Sequence, residues 1–358
     1  GNARGMTRVV IVGAGVVGLM CAVRLVKQGA RVTVLEADPD DLDVFRAGAS
    51  AAAAGMLAPF DADGAHADLA LASYDLWREL AARAPWADGV RFDGGVMAFA
   101  DEREAAAVQA RAMSAGRKVS ALSRGQAAKR TGMTLTLDHA LFLDDEGVAD
   151  PIRVLSGLRY EARQLGVTMR FDQDVARVTP TSAHTFTGED YEGDHIVLAP
   201  GAWANDAMSA AAPALKRIRP GKGHLVSVKL AKPLVPNLHG PGLYLAARRE
   251  DIVLGSTLQW DKYERHVEQE QVNTLLAAAE ALAPGAIKPA GRAWAGVRPM
   301  SPDGWPMVGS SNGMLVAAGH SRQGWLLAPL TAEIVSAHVF GAPLQPAWRA
   351  FAPLRFES

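Results

Sequence analysis

The sequence predicts an α/β protein: a mostly parallel, doubly wound sheet domain interleaved with a second, strand-rich α+β domain. Three observations carry this. A strand, a glycine turn, a helix and a second strand follow one another in "RVVIVGAGVVGLMCAVRLVKQGARVTVLEAD" near the start. A buried apolar strand running into a Pro-Gly turn recurs far along the chain, in "DHIVLAPGAWA" at residues 194–204. A further apolar strand, residues 314–318, stands just before a final helix, with blocks of different character in between.

The first unit is the most informative. Residues 9–12 are short and β-branched, as in a strand buried on both faces. Gly13, Gly15 and Gly18 follow, with Val16 and Val17 between them. Gly13 permits a tight turn, Gly15 leaves room for a pyrophosphate, and Gly18 lets helix and strand pack closely. Residues 19–27 read as a helix ended by Gly29. Its N-terminus offers unpaired N–H groups and a positive dipole end to phosphates. Residues 31–35 form the second strand, and Glu36 ends it, where a carboxylate accepts hydrogen bonds from ribose hydroxyls. The same carboxylate repels a 2′-phosphate, which favours FAD or NAD over NADP.

The remaining elements follow in order. Residues 47–58 are alanine-rich and read as a small-residue helix packed on a sheet. Residues 68–83 carry a helical apolar stripe. Residues 90–100 alternate like a strand bent at Gly94-Gly95. Residues 102–115 and 123–130 are helical. Asp150-Pro151 opens a helix to about residue 165, and strands follow at 167–171 and 175–180. Residues 219–257 are strand-rich, 268–282 helical, 293–298 a strand, and 326–339 the last helix. Asp144-Asp145-Glu146 reads as a solvated turn. The dinucleotide domain is then split over 6–84, 146–216 and 310–358, with the second domain at 85–145 and 217–309.

Composition narrows the function classes. The chain has 358 residues, with 37 Lys+Arg against 38 Asp+Glu. That balance argues against nucleic-acid or anionic-membrane binding, which need a basic excess. The longest uncharged apolar run, residues 9–23, is too short to span a bilayer, which takes about 20 residues. One cysteine, Cys21, excludes an internal disulfide and a multi-cysteine metal site; no metal is expected, and a reducing, cytoplasmic location fits. The residues ahead of Met6 read as an expression remnant.

Four blocks then carry a family resemblance: the βαβ unit above, "GASAAAAGMLAPF" (48–60), "WAGVRPMSPDGWPMVG" (294–309) and "GHSRQGWLLAPLTAEIVS" (319–336). In order and spacing the chain resembles the D-amino-acid oxidase superfamily, and within it the glycine oxidase branch. The resemblance implies noncovalent FAD in a GR2-like Rossmann domain and oxidation of a small amino acid. It implies cofactor contacts at Gly13, Gly15, Val16, Val17, Gly18, Glu36 and Ala37. It extends them to Ser50, Ala51, Ala53, Ala54, Gly55 and Met56, whose small side chains would lie against the flavin. Val175, Gly201, Trp203, Gly319, His320, Gln323, Gly324 and Trp325 complete the set, with Arg298 and Arg322. His320 also reads simply as a packed, hydrogen-bonded histidine.

Arg298 ends an apolar strand, where an unpaired charge is costly. Its donor fork matches a carboxylate bidentately, and the resemblance makes it the ligand of the substrate carboxylate; an ion pair with Asp303 is the structural alternative. Arg322 and Tyr244 are the other implied catalytic residues. Gly242, Leu258 and His224 depart from the glycine oxidase pattern and are expected to reshape the pocket. Cys21 reads as a small buried residue. No His–Asp dyad is evident near the motifs, which suits hydride transfer from Cα to flavin N5 from a neutral amine, giving an oxo acid, ammonia and hydrogen peroxide. The alternatives are a dehydrogenase passing electrons to an acceptor other than oxygen, a sarcosine-type secondary-amine oxidase, and a non-catalytic FAD-binding module. By analogy, the branch points to thiamine biosynthesis and allows a homo-oligomer.

Overall fold

The computed structural model describes residues 5–43 and 48–356. Residues 1–4 of the expected remnant, and Ala47 at the head of the alanine-rich stretch, lie outside them.

A six-stranded sheet runs in the order Met307–Ser311, Met314–Ala318, His195–Leu198, Arg8–Val12, Arg31–Leu35, Thr168–Arg170. Every neighbouring pair is parallel except the first. A parallel sheet is covered on both faces, which is why its strands read as apolar runs. Val9 and Ile11 meet the helices on one face, and Val10 and Val12 the cluster on the other. The first helix is Val16–Lys27, starting three residues earlier than its apolar run suggests. Gly18 therefore lies inside it, where a Cβ would run into the Gly13 carbonyl.

The last helix, Gly324–Phe340, packs against the first and is apolar all round, as a buried central helix must be. Pro329 lies inside it. Proline removes the N–H that would bond Trp325 O, four residues back. Trp77 Nε1 donates to that carbonyl instead, at 2.8 Å. Ser73 Oγ donates to Leu326 O at 2.6 Å and accepts from Leu330 N at 3.3 Å. One turn of helix Ala67–Ala81 thus repairs the break beside the cavity described below.

The second sheet has nine strands. Its long members, Arg219–Lys229 and Lys288–Met300, pair antiparallel, with Gly221 opposite Arg298. It is antiparallel as expected, apart from Asn237–Gly240 beside Gly95–Phe99. The single strand expected over 90–100 is two: Val90–Arg91 belongs to a small separate sheet, and Gly95–Phe99 to the large one. Gly94, at φ 84°, makes the break. The alanine-rich stretch is not the packed helix its composition suggests. It is one turn, Ala49–Ala52, and then extended chain. Alanines alone lack the apolar stripe that holds a longer helix on a sheet. The meander Val175–Thr179, Ser182–Thr185, Asp190–Glu192 has a last pair too short and polar to read from sequence. Among the described residues no helix is long and apolar enough to cross a membrane.

Candidate active site

A cavity of about 1020 Å³ lies between the two sheets. That is the upper end of the roughly 300–1,000 Å³ usual for ligand sites, as a dinucleotide with a substrate requires. Its wall carries Gly13, Gly15, Val17, Gly18, Glu36, Ala37, Ser50, Ala51, Ala53, Ala54, Gly55, Met56, Val175, Gly201, Trp203, Tyr244, Arg298, His320, Arg322, Gln323, Gly324 and Trp325. Val16 and Gly319 are not on it. Val16 is buried, its N–H donating to Ser50 Oγ at 3.0 Å. Gly319 sits behind the wall, against Met307 and Ser301.

One half of the wall is backbone and small side chains. Gly13 has φ 111°, and a Cβ there would strike the Ala199 carbonyl. A Cβ on Gly15 would lie 2.8 Å from Ser50 Oγ. Glu36 accepts from Ala14 N and from Asp38 N, both at 3.0 Å. Burial raises its pKa, while those two N–H groups act the other way. Each of its oxygens keeps a lone pair for a further donor. The 49–52 turn is held from both sides: Trp325 Nε1 donates to Ser50 O at 3.0 Å, and Trp294 Nε1 to Ala52 O at 2.8 Å. Val175 O already accepts from Asn205 Nδ2 at 2.9 Å. The last helix points its N-terminus at the cavity. Gln323 N is taken by His320 O at 2.9 Å, so the donors it leaves begin at Gly324.

The other half carries charge. Arg298 donates to Ser256 Oγ at 2.6 Å and to Thr257 O at 3.2 Å. Among the described residues it has no carboxylate partner. Asp303, the structural alternative, pairs with Arg355 at 3.0 Å instead. Burial lowers the Arg298 pKa, with Tyr244 opposing and Arg322 adding to the fall. Two glycines make room: a Cβ on Gly223 would overlap the Arg298 guanidinium, and one on Gly255 the Tyr244 ring. Ser321, at φ 57°, turns the chain so that Arg322 faces the cavity; its N–H donates to Pro299 O at 2.8 Å and its Oγ accepts from Ser301 N at 3.0 Å.

His320 is buried with Nε2 2.9 Å from Thr331 Oγ1, and burial pushes its pKa down to about 3. This is the packed, neutral histidine of the plainer reading, with one edge on the wall. Cys21 is fully buried and its thiol is pushed up to about 12, so it stays an inert core residue. None of the three departures from pattern lines the wall itself. Gly242 and Leu258 are not on it, and His224 is buried behind it. His224 Nε2 accepts from Glu268 N at 3.0 Å, which leaves Nδ1 to face Thr257 Oγ1 at 3.2 Å. It supports the residue whose carbonyl receives Arg298.

Sequence reasoning missed two groups. Arg159, its side chain 8 % exposed, stands near Glu36, pairs with Asp40 at 3.1 Å and lines the cavity. The second group corrects the solvated turn. Asp144 is exposed, but Glu146 is 1 % exposed, with Oε2 2.7 Å from His239 Nε2. His239 Nδ1 lies 3.5 Å from Oδ1 of Asp61, which is on the wall. A histidine–carboxylate cluster therefore does stand at the site.

The sequence pattern of the family described as FAD dependent oxidoreductase matches residues 8–338. The chain belongs to this family. Within it the chain lies in the glycine oxidase-like branch. It is 30% identical to the bifunctional protein ThiO/ThiG of a Synechocystis species, over 97% of this chain and 54% of that protein. The chain spans about half the length of such bifunctional relatives. It is 28% identical to glycine oxidase of Bacillus licheniformis, over 95% of this chain and 94% of that protein. The solved glycine oxidase of Geobacillus kaustophilus superposes with TM-score 0.86 at 26% identity, covering 99% of this chain and all of that one. L-proline dehydrogenase from P. horikoshii, at 21% identity and TM-score 0.85, shares the fold. The family's cofactor is FAD, and the glycine turn, Glu36 and the crowded small residues of the wall fit a bound dinucleotide.

Proposed function

We propose that the protein catalyses FAD-dependent oxidative deamination of glycine or a small D-amino acid, giving an oxo acid, ammonia and hydrogen peroxide. The observation that carries this is Arg298: a guanidinium facing the same cavity as the dinucleotide turn, bonded among the described residues to neutral acceptors. A cation left without a counter-ion in such a place is a site for a substrate anion.

FAD, held noncovalently, supplies the two-electron acceptor. Gly15 would leave its pyrophosphate room against the backbone, in a turn that Gly13 permits and that Gly18 packs against the helix, and Glu36 would accept from its ribose. Residues 50–56 line the cavity where the ring system would be held, and the N–H groups from Gly324 onward would stabilise negative charge on it. Val175 would meet the adenine end, and Gly201 and Trp203 line the same cavity.

Arg298 takes the substrate carboxylate through N–H groups that Ser256 and Thr257 leave unused, and so fixes the Cα. Tyr244, from another strand of the same sheet, closes the pocket beside it. Arg322 adds positive potential. Holding the reacting carbon in one orientation is the protein's contribution to rate, alongside electrostatics.

The test is a panel of glycine, sarcosine and small D- and L-amino acids mixed anaerobically with the holoenzyme. Loss of the visible flavin band with glycine or a D-amino acid is expected, followed by its return and peroxide release on admitting air. Bleaching by none of them overturns the proposal. Bleaching without reoxidation by air overturns the assignment of oxygen as acceptor, and preference for sarcosine overturns the primary-amine assignment.

A further inference from the structure

Asp61 has no role in the reading so far, yet its surroundings are built with care. Glu146, in the connection from strand His139–Leu143 to strand Gly147–Ala149, is buried against Gly95, where a Cβ would overlap its carboxylate. Asn237 Nδ2 donates to Glu146 Oε2 at 2.9 Å and to Gly147 O at 3.0 Å, and its Oδ1 accepts from Ala247 N at 2.9 Å. His239, 6 % exposed, lies between Glu146 and Asp61. Both its ring nitrogens face carboxylates, which only the doubly protonated ring satisfies as donor to both. Burial opposes that charge, but Glu146 and Asp61 hold the His239 pKa well above its ordinary value. Asp61 itself is open, its side chain 56 % exposed into the cavity. Arg111 clamps its loop through Phe60 O at 3.2 Å and Ala62 O at 3.0 Å.

The sheet register places this cluster at the substrate end. His239 and Tyr244 are direct cross-strand partners, so their side chains share a face with Cβ atoms about 5 Å apart. Arg322 is near enough to act on the Asp61 charge, after His239 and ahead of Arg111. Glu146 balances His239 behind the wall. Of the wall groups at this end, Asp61 stands against Arg322, and Arg298 is left to be balanced by one carboxylate; Arg111 is not on the wall and donates to the Phe60 and Ala62 carbonyls.

We propose that Asp61, fixed by His239 and Glu146, is a specificity-determining residue that rejects a second carboxylate and confines the pocket to monocarboxylate substrates. This rests on the Arg298 reading above. Specificity of this kind comes from a placed repulsion as much as from an attraction. Removing the Asp61 charge gives a second carboxylate Arg322 as its partner and takes away the opposing charge.

The experiment measures binding of acetate and malonate to the holoenzyme, through the shift each causes in the visible flavin spectrum at fixed ionic strength. The wild type is expected to favour acetate. In Asp61→Asn the malonate-to-acetate affinity ratio should rise about tenfold, the effect of one charge at an intermediate dielectric. Asp61→Glu keeps the charge and should keep the wild-type ratio. Asp61→Ser serves where the amide variant loses FAD. In turnover, D-aspartate relative to glycine should gain through KM with kcat little changed. An unmoved ratio in both neutral variants, or an equal rise in Asp61→Glu, overturns the proposal. Acetate binding unaffected by Arg298→Ala instead overturns the carboxylate site itself, so the two failures are distinguishable.

Discussion

The two halves of the cavity are built on opposite principles. The dinucleotide half is made of backbone and small side chains, and four of its segments, at 13–18, 36–37, 50–56 and 323–325, are contiguous in sequence. The substrate half is made of polar and charged side chains brought from distant points: Asp61, Tyr244, Arg298 and Arg322, with Glu146 and His239 behind them. A ligand held by backbone needs glycines where a Cβ would collide. A ligand held by charge needs cations whose neighbours leave them a vacancy. The first requirement is local, while the second depends on the whole fold.

The sharpest break of the first half is Gly13→Ala. The added Cβ meets the Ala199 carbonyl and the residue must keep φ 111°. FAD retention is expected to be lost, as measured by the flavin-to-protein absorbance ratio after gel filtration. Retention at the wild-type ratio would mean that the turn does not need its glycine.

Gly223→Ala acts on the second half alone. The methyl displaces the Arg298 guanidinium, and a displacement of about 1 Å can cost up to about 100-fold in rate. KM for the amino acid should rise about 10- to 100-fold with FAD content unchanged. An unchanged KM would show that Arg298 relaxes freely around the methyl.

Between the halves stands the proline repair. Trp77→Phe leaves Trp325 O without its donor in a buried place, a loss of about 1–3 kcal/mol. Urea unfolding of the holoenzyme should show it as a lower midpoint at unchanged slope. No change in midpoint would mean that Ser73 suffices.

The smallest effect is a pH dependence. The folded His239 pKa is raised above the ordinary 6.5. Its pairing therefore stabilises the fold fully below about pH 6.5 and is lost as pH rises through the folded value. The Tm gap between wild type and His239→Gln should be constant at acidic pH, as long as both partner carboxylates stay ionised, and shrink on the alkaline side. A gap that widens with pH would contradict a protonated His239.

The same contrast explains what was legible in the sequence. The glycine turn, Glu36 and the central strands are local signals, and the structure places them as read, with the first helix extended back to Val16. Arg298 stood out because a cation at the end of an apolar strand needs a reason. Glu146 did not. In a run of three acids it looks solvated, and its burial depends on His239, 93 positions away. Asp61 acquires its setting only through that pairing. The alanine-rich stretch misled for a related reason. Small side chains there open space beside a cavity, which composition alone cannot separate from helix packing.

The central claim is that a small amino acid, held by its carboxylate on Arg298, reduces the bound flavin. It is tested most directly by anaerobic stopped-flow reduction of wild type and Arg298→Ala at equal FAD content. Two lost charge-assisted hydrogen bonds, each worth about 1.5–3 kcal/mol, predict that the second-order rate of flavin bleaching falls at least about 100-fold. Bleaching at the wild-type rate in the variant, with FAD still bound, would contradict the account.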